Sequence, residues 1–391
     1  MKRLLMVTIF ISSLLLADSP SRVLLNLTEN PASEIAVTWR NYDKIKNPRV
    51  QILPADASTK MDPKASTFSA GTEILKINEL EIYQHGLIVD QLKPGTTYAY
   101  RVGTEDSWSE WNHFTTACKE PVPFQFVYLG DVQNGIFDMS SRVLRSAYRR
   151  APNAGFWLYA GDIVNHGDND HEWGEIFDAL GWISRTTPMV FLPGNHEYPR
   201  IENSRILTPL WRPQMTQPEN GPEGLEESAF YIDYQGLRLI TLNGNEKLEE
   251  QVRWLDKVLS ENKQFWTIIS IHQPFYSTAQ GRDSKDRRDL FLPIIDKYSV
   301  DLVLQGHDHT YGRTYKLRGG NIVPSHEPGT YYAVSVVGVK VYDMKEENMK
   351  FMAKMGNGRQ LFQVIGLDGN VLTYRSYDAT GAVYDSFEII K

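Results

Sequence analysis

Five short segments carry residue types that could do chemistry together. They read Gly-Asp-Val-Gln (Asp131, Gln133), Gly-Asp-Ile-Val-Asn-His-Gly (Asp162, Asn165, His166), Gly-Asn-His-Glu (Asn195, His196), Ile-His-Gln-Pro (His272) and Gly-His-Asp-His (His307, His309). Carboxylates, amide oxygens and imidazoles are metal-ligating groups, and such mixed sets suit hard to borderline divalent ions. Each segment alone has the composition of an ordinary turn or helix cap. Together they differ, because all five follow an apolar run and four stand beside a glycine. Glycine permits the tight turn and close backbone approach that a site at a strand end needs. No covalent alternative is on offer: there is no Gly-x-Ser-x-Gly elbow and no Walker loop, and Cys118 is the only cysteine.

The apolar runs preceding these segments, at 124–129, 155–160, 188–192, 266–271 and 300–305, predict buried strands. Helical patterns lie between several of them. Val252, Leu255, Val258 and Leu259 share one face of 249–262, and 289–298 follows the same logic. Strands alternating with helices predict an α/β layered domain. Ligand sites in open α/β sheets lie outside the carboxyl ends of the strands, so the five segments are expected to converge. From about residue 329 the pattern returns to strand-like alternation. Two long stretches, 198–228 and 276–288, show no period and read either as substrate-facing loops or as insertions without a role. Arg282, Lys285, Arg287 and Arg288 in the second could attract a phosphate or simply form a solvated face.

Upstream, 20–117 is built of short alternating runs with turn residues between them, which predicts an all-β sandwich. Pro94-Gly95 marks a turn, Tyr98 stands where a tyrosine corner would anchor the sandwich, and Trp39 is its expected core aromatic. This region resembles a fibronectin type III domain and reads as a structural spacer. A proline-bearing linker, 117–123, separates it from the α/β domain at 122–391. At the other end, Lys2 and Arg3 precede an apolar stretch to Ala17, the pattern of a signal peptide over 1–17 and too short to span a bilayer comfortably. The expectation is a soluble exported protein, periplasmic or secreted by a bacterium, with no membrane anchor. A single cysteine excludes an intramolecular disulfide. A net charge of −7 across 391 residues gives no footprint for a nucleic-acid partner, and 41% hydrophobic residues suffice for a large core.

The order and residue types of the five segments resemble the calcineurin-like metallophosphoesterase superfamily. With the sandwich in front, the chain is similar to the purple acid phosphatases over about 21–391. That resemblance implies a central β-sandwich flanked by helices, with two metal ions sharing one carboxylate. Carried over position by position, the first metal would take Asp131, Asp162 and His309. The second would take Asp162, Asn195, His272 and His307. His196 would be the catalytic side chain, stabilising the transferring phosphoryl group or protonating the leaving oxygen, or else would merely orient Asn195. The activity implied is hydrolysis of a small phosphorylated substrate by metal-activated water, as an acid phosphatase-like phosphomonoesterase. A phosphodiesterase on the same site is the alternative.

Two departures qualify the resemblance. Purple acid phosphatases place a metal-binding tyrosine three residues after the shared aspartate, where this chain has Asn165. Other superfamily members use a histidine two residues after the first aspartate, where this chain has Gln133. Both are neutral amides and weaker ligands. A trivalent ion with a phenolate carries the same net charge as a divalent ion without one. The departures therefore favour two divalent ions (Mn, Zn, Fe, Mg or Ca) and a colourless protein. His166, next to Asn165, could serve as a substitute ligand or substrate contact. The same departures also suit an exported binding protein whose catalysis has decayed.

Overall fold

The computed structural model describes residues 19–77, 80–201 and 203–391; the expected signal peptide at 1–17 lies outside them. All five apolar runs form strands. Phe124–Leu129, Trp157–Ala160 and Met189–Leu192 pair in parallel in one sheet, with Leu361–Asp368, Val371–Asp378 and Val383–Ile390 continuing it antiparallel. Trp266–Ile271 and Leu302–Gln305 belong to a second, seven-stranded sheet. The expected convergence therefore happens across two sheets rather than along one.

The sheets face each other over a shared core. Phe126, Tyr128, Phe156, Leu158 and Val190 from one pack with Ile232, Leu239, Ile268, Leu302 and Leu304 from the other. Helices Ser141–Arg150 and Asp170–Leu180 cover the outer face of the first sheet, burying Val143, Leu144, Trp173 and Ile176. Helices Leu248–Ser260 and Lys285–Tyr298 do the same for the second through Leu255, Val258, Phe291 and Ile295. The result is a β-sandwich flanked by helices. Strands buried on both faces read as continuous apolar runs, which is why they were visible in the sequence.

The N-terminal region is a second β-sandwich. Its core holds Val23, Leu25, Val37, Val50, Tyr100 and the fully buried Trp39. The Tyr98 hydroxyl accepts the Lys93 N–H at 2.8 Å, closing the expected tyrosine corner. The reading of this region as a spacer needs correction. Strand Ser21–Asn26 pairs in parallel with Met189–Leu192 at Asn26 and Met189, so one ten-stranded sheet runs through both regions. The Met189 carbonyl accepts from both the Asn26 side chain at 3.0 Å and the Leu27 N–H.

The aperiodic stretch 198–228 also joins the two regions. It contains helix Trp211–Gln214, whose Trp211 is fully buried. Thr38 of the sandwich donates to the Gln214 carbonyl, and Arg40 donates to its side chain at 3.2 Å. This stretch is thus a brace between the regions, which neither reading of it anticipated.

Candidate metal centre

Each candidate side chain leaves the end of a strand through a sharp turn. Asp131, Asp162, His307 and His309 all have positive φ, between 44° and 75°. For non-glycine residues this conformation costs about 1–2 kcal/mol each, so the surrounding fold must impose it. Neighbouring glycines make the approach possible. A Cβ at Gly161 would stand 2.6 Å from His272 Nδ1, and one at Gly194 would overlap the Asp162 carboxylate.

The side chains meet around Asp162. Its Oδ2 lies 3.1 Å from His272 Nε2 and accepts Gln133 Nε2 at 3.0 Å, while its Oδ1 accepts the His196 backbone N–H at 2.9 Å. His272 donates from Nδ1 to the Ala160 carbonyl at 2.7 Å, which aims Nε2 inward. His307 Nδ1 lies 3.2 Å from that Nε2. On the other side, His309 Nε2 is 4.0 Å from Asp131 Oδ1 and 3.2 Å from Gln133 Nε2. Two groups result, Asp162–His272–His307 and Asp131–Asp162–His309, each with its donor atoms within 4.8 Å of one another and Asp162 common to both.

Several features of this cluster fit a cation. Asp131 Oδ1 and Asn195 Oδ1 are buried and have no hydrogen-bond partner. Burial, with Asp162 close by, pushes the Asp131 carboxyl well above its ordinary range. Burial also opposes charge on Asp162, but His272 and His196 outweigh it and hold that carboxyl low. Burial opposes charge on His272 too, yet Asp162 outweighs it and raises the imidazole to about 9. Burial and the His272 charge drive His307 down to about 2; burial and Lys340 take His309 to about 3. Two imidazoles thus stand neutral, with a proton on His272 balancing a buried carboxylate. Metal binding replaces such protons.

His196 stands at the rim, its side chain 26% exposed. Nδ1 lies 2.6 Å from the Asn165 carbonyl, leaving Nε2 3.9 Å from Asp162 Oδ2. The three further candidates separate. Gln133 is buried among the converging groups. The Asn165 side chain instead accepts from Asn134 and contacts His166, so only its backbone carbonyl serves the site. His166 pairs with Glu172 at 2.6 Å, its side chain 63% exposed, outside the cluster.

Sequence reasoning missed the carboxylates that hold the turns. Glu197 is fully buried and accepts the backbone N–H groups of Asp162, Ile163, Val164 and Gly194 at 2.7–3.2 Å. Burial and the neighbouring Asp162 push its carboxyl up to about 7. Glu172 accepts the N–H groups of Asn165 and His166. The available signal for Glu197 was its place directly after Asn195 and His196.

The comparisons agree with this architecture. Residues 20–116 match the purple acid phosphatase N-terminal domain, and 124–311 match the calcineurin-like phosphoesterase family. An uncharacterized protein of Mycobacterium tuberculosis is 25% identical over 343 residues, covering 75% of this chain and 62% of that protein. Fe(3+)-Zn(2+) purple acid phosphatase 12 of Arabidopsis thaliana is 23% identical, covering 77% of this chain and 66% of its own. The chain thus spans slightly less than two-thirds of the length of these relatives. A solved purple acid phosphatase from yellow lupin (Lupinus luteus) seeds superposes with a TM-score of 0.82 at 20% identity, over 95% of this chain and 74% of that one. With both regions matched in order and the fold shared throughout, the chain belongs to the purple acid phosphatase-like members of the calcineurin-like phosphoesterase family.

Proposed function

We propose that the protein is a metal-dependent phosphoric ester hydrolase acting on monoesters. The observation that carries this reading is the pair of donor groups sharing Asp162, with His196 at their open side. Asp131, Asp162 and His309 would hold one divalent ion, with Gln133 beside them; Asp162, Asn195, His272 and His307 would hold the other. Bound there, two divalent ions would supply Lewis acidity toward a water and the phosphate oxygens, and offset charge on the transferring group.

The chain's own residues do the rest. The Asn165 carbonyl accepts the Nδ1–H of His196, which leaves Nε2 facing the site, where the doubly protonated ring would donate to the leaving oxygen and return to the neutral Nδ1–H form. The backbone of His196 is fixed by Asp162 Oδ1, which keeps the proton donor in register with the shared carboxylate. With Asp131 and Asp162 assigned to the ions, the nucleophile in this reading is a water. The expected signal peptide adds an exported location to this proposal.

The test is turnover of p-nitrophenyl phosphate and bis(p-nitrophenyl) phosphate by metal-stripped protein reloaded with Mn, Zn, Fe, Mg or Ca. Metal-dependent release from the monoester, lost by a factor of about 10²–10⁴ in His196→Ala, is the expected result. Preference for the diester would transfer the reading to a phosphodiesterase. Tight metal binding without turnover of either would make this a binding protein.

A further inference from the structure

Residues 339–342 invert the usual order of burial. Val339 and Val341 are 40% and 50% exposed, whereas Lys340 and Tyr342 beside them are half-buried. Ordinarily valines turn inward and a lysine outward. The half-buried pair instead faces the site. Tyr342 packs edge-on against His309 with ring centroids 5.2 Å apart, and Gly338 N–H ties the segment to the Asp131 carbonyl at 2.7 Å.

A second cation joins from the aperiodic stretch 276–288. The Arg282 guanidinium lies 4.6 Å from the Tyr342 ring centroid and donates to the His307 carbonyl; Lys340 Nζ lies 5.2 Å from the same centroid. Among the described residues neither cation has an ion-paired carboxylate. Asp308, next in the chain to His307, holds Ser277 and the N–H groups of Thr278 and Ala279 on Oδ2; its buried Oδ1 has no hydrogen-bond partner, and it acts on Arg282 through charge without forming an ion pair. Two cations against one ring, neither with an ion-paired carboxylate, make a place that an anion stabilises. His309 touches both Tyr342 and Asp131, so that place adjoins the donor groups through one ring.

We propose that Arg282 and Lys340, mounted on Tyr342, bind a second phosphate of the substrate, so that the preferred substrates are phosphoric esters carrying two phosphate groups. This rests on the phosphoesterase reading above. The test compares glucose 1,6-bisphosphate with glucose 6-phosphate on metal-loaded wild type, Lys340→Gln and Arg282→Gln. Lys340→Gln carries the most weight, because Arg282 also braces His307. The wild type should favour the bisphosphate in kcat/KM. Lys340→Gln should reduce that preference about tenfold while nearly sparing glucose 6-phosphate; Arg282→Gln should reduce the preference as well, on top of a loss common to both substrates. Equal losses on both substrates, or no preference in the wild type, would overturn the proposal. If neither sugar phosphate nor p-nitrophenyl phosphate is hydrolysed, the phosphoesterase reading itself fails. Calorimetric binding of inorganic pyrophosphate to the full chain then decides the subsite: weaker binding by Lys340→Gln supports it, and equal affinity overturns it.

Discussion

Arg40 of the N-terminal sandwich, its side chain fully buried, is ion-paired at 2.9 Å with Asp170 of the phosphoesterase fold. Asp170 also takes Arg22 at 2.7 Å, so one carboxylate serves two cations. It opens helix Asp170–Leu180, whose Glu172 holds the turn that supplies the Asn165 carbonyl to His196. One acidic residue of the phosphoesterase fold thus joins two cations of the sandwich to the helix that holds the turn beside His196.

Asp170→Asn leaves two guanidiniums without a counter-charge and should cost about 3–5 kcal/mol. Burial acts against the Asp170 charge, but Arg40 and Arg22 outweigh it and hold the carboxyl below its ordinary value. A depressed carboxyl stabilises above its unfolded value and loses that contribution as pH falls through the folded one. In thermal unfolding, the gap between wild type and variant should be full at neutral pH and close in acid. A gap that persists undiminished at low pH would contradict the assignment.

Glu227 should show the opposite sign. Burial raises its carboxyl from 4.5 to about 7, against opposition from the Gln217 N–H and Arg212, with Glu219 and Glu73 adding to the rise. The folded state favours the protonated form, so the contribution is complete below the unfolded value and lost as pH rises through about 7. Glu227→Gln should gain on wild type between those limits, by at most on the order of 3 kcal/mol. Unfolding curves at acid and alkaline pH test this, and parallel pH profiles for the two proteins would refute it.

Glu197→Gln replaces an acceptor of four backbone N–H groups by a side chain with a single acceptor oxygen. The amide's own N–H groups then face donors. We expect a loss of about 3 kcal/mol or more, together with weaker metal retention, because the turns carrying Asp162 and Asn195 loosen. Calorimetric unfolding and metal analysis on the same sample would show both. Unchanged metal content in a destabilised variant would separate Glu197 from the site.

Gln133→His places an imidazole where a neutral amide now lies 3.0 Å from Asp162 Oδ2 and 3.2 Å from His309 Nε2. Affinity for a divalent ion at Asp131, Asp162 and His309 should rise by about tenfold or more, since imidazole is the stronger ligand. Titration calorimetry with Zn or Mn reads this directly. No gain would indicate that these three residues do not form a metal site.

Much of this was legible in the sequence where local pattern and chemistry coincide. Strands buried on both faces announced themselves as apolar runs, and Asp131, Gln133, His272, His307 and His309 after them meet around Asp162, whereas the side chains of Asn165 and His166 turn away. Tyr98 was readable because its turn and its partner Lys93 lie within a few residues. What escaped depends on distance or reverses an expectation. Arg40 and Asp170 are 130 positions apart, and nothing near either residue signals the other. Glu197 follows two site residues yet points back at their backbone, a role that residue type does not reveal. Lys340 and Tyr342 were hidden because exposed valines beside half-buried polar groups contradict the pattern by which buried faces are recognised.

The ten-stranded sheet has a consequence for any attempt to divide the chain. Cut in the 117–123 linker, the phosphoesterase half would lose the strand that flanks Met189, along with Arg22 and Arg40. The apolar strand Met189–Leu192 would be left with a free carbonyl at Met189 on its sheet margin, while Phe191 keeps Gln217 on its N–H and carbonyl. Such margins recruit other chains and lead to aggregation. The separated half should therefore be less stable and less soluble than the whole chain, and the sandwich is best treated as part of one folding unit with it.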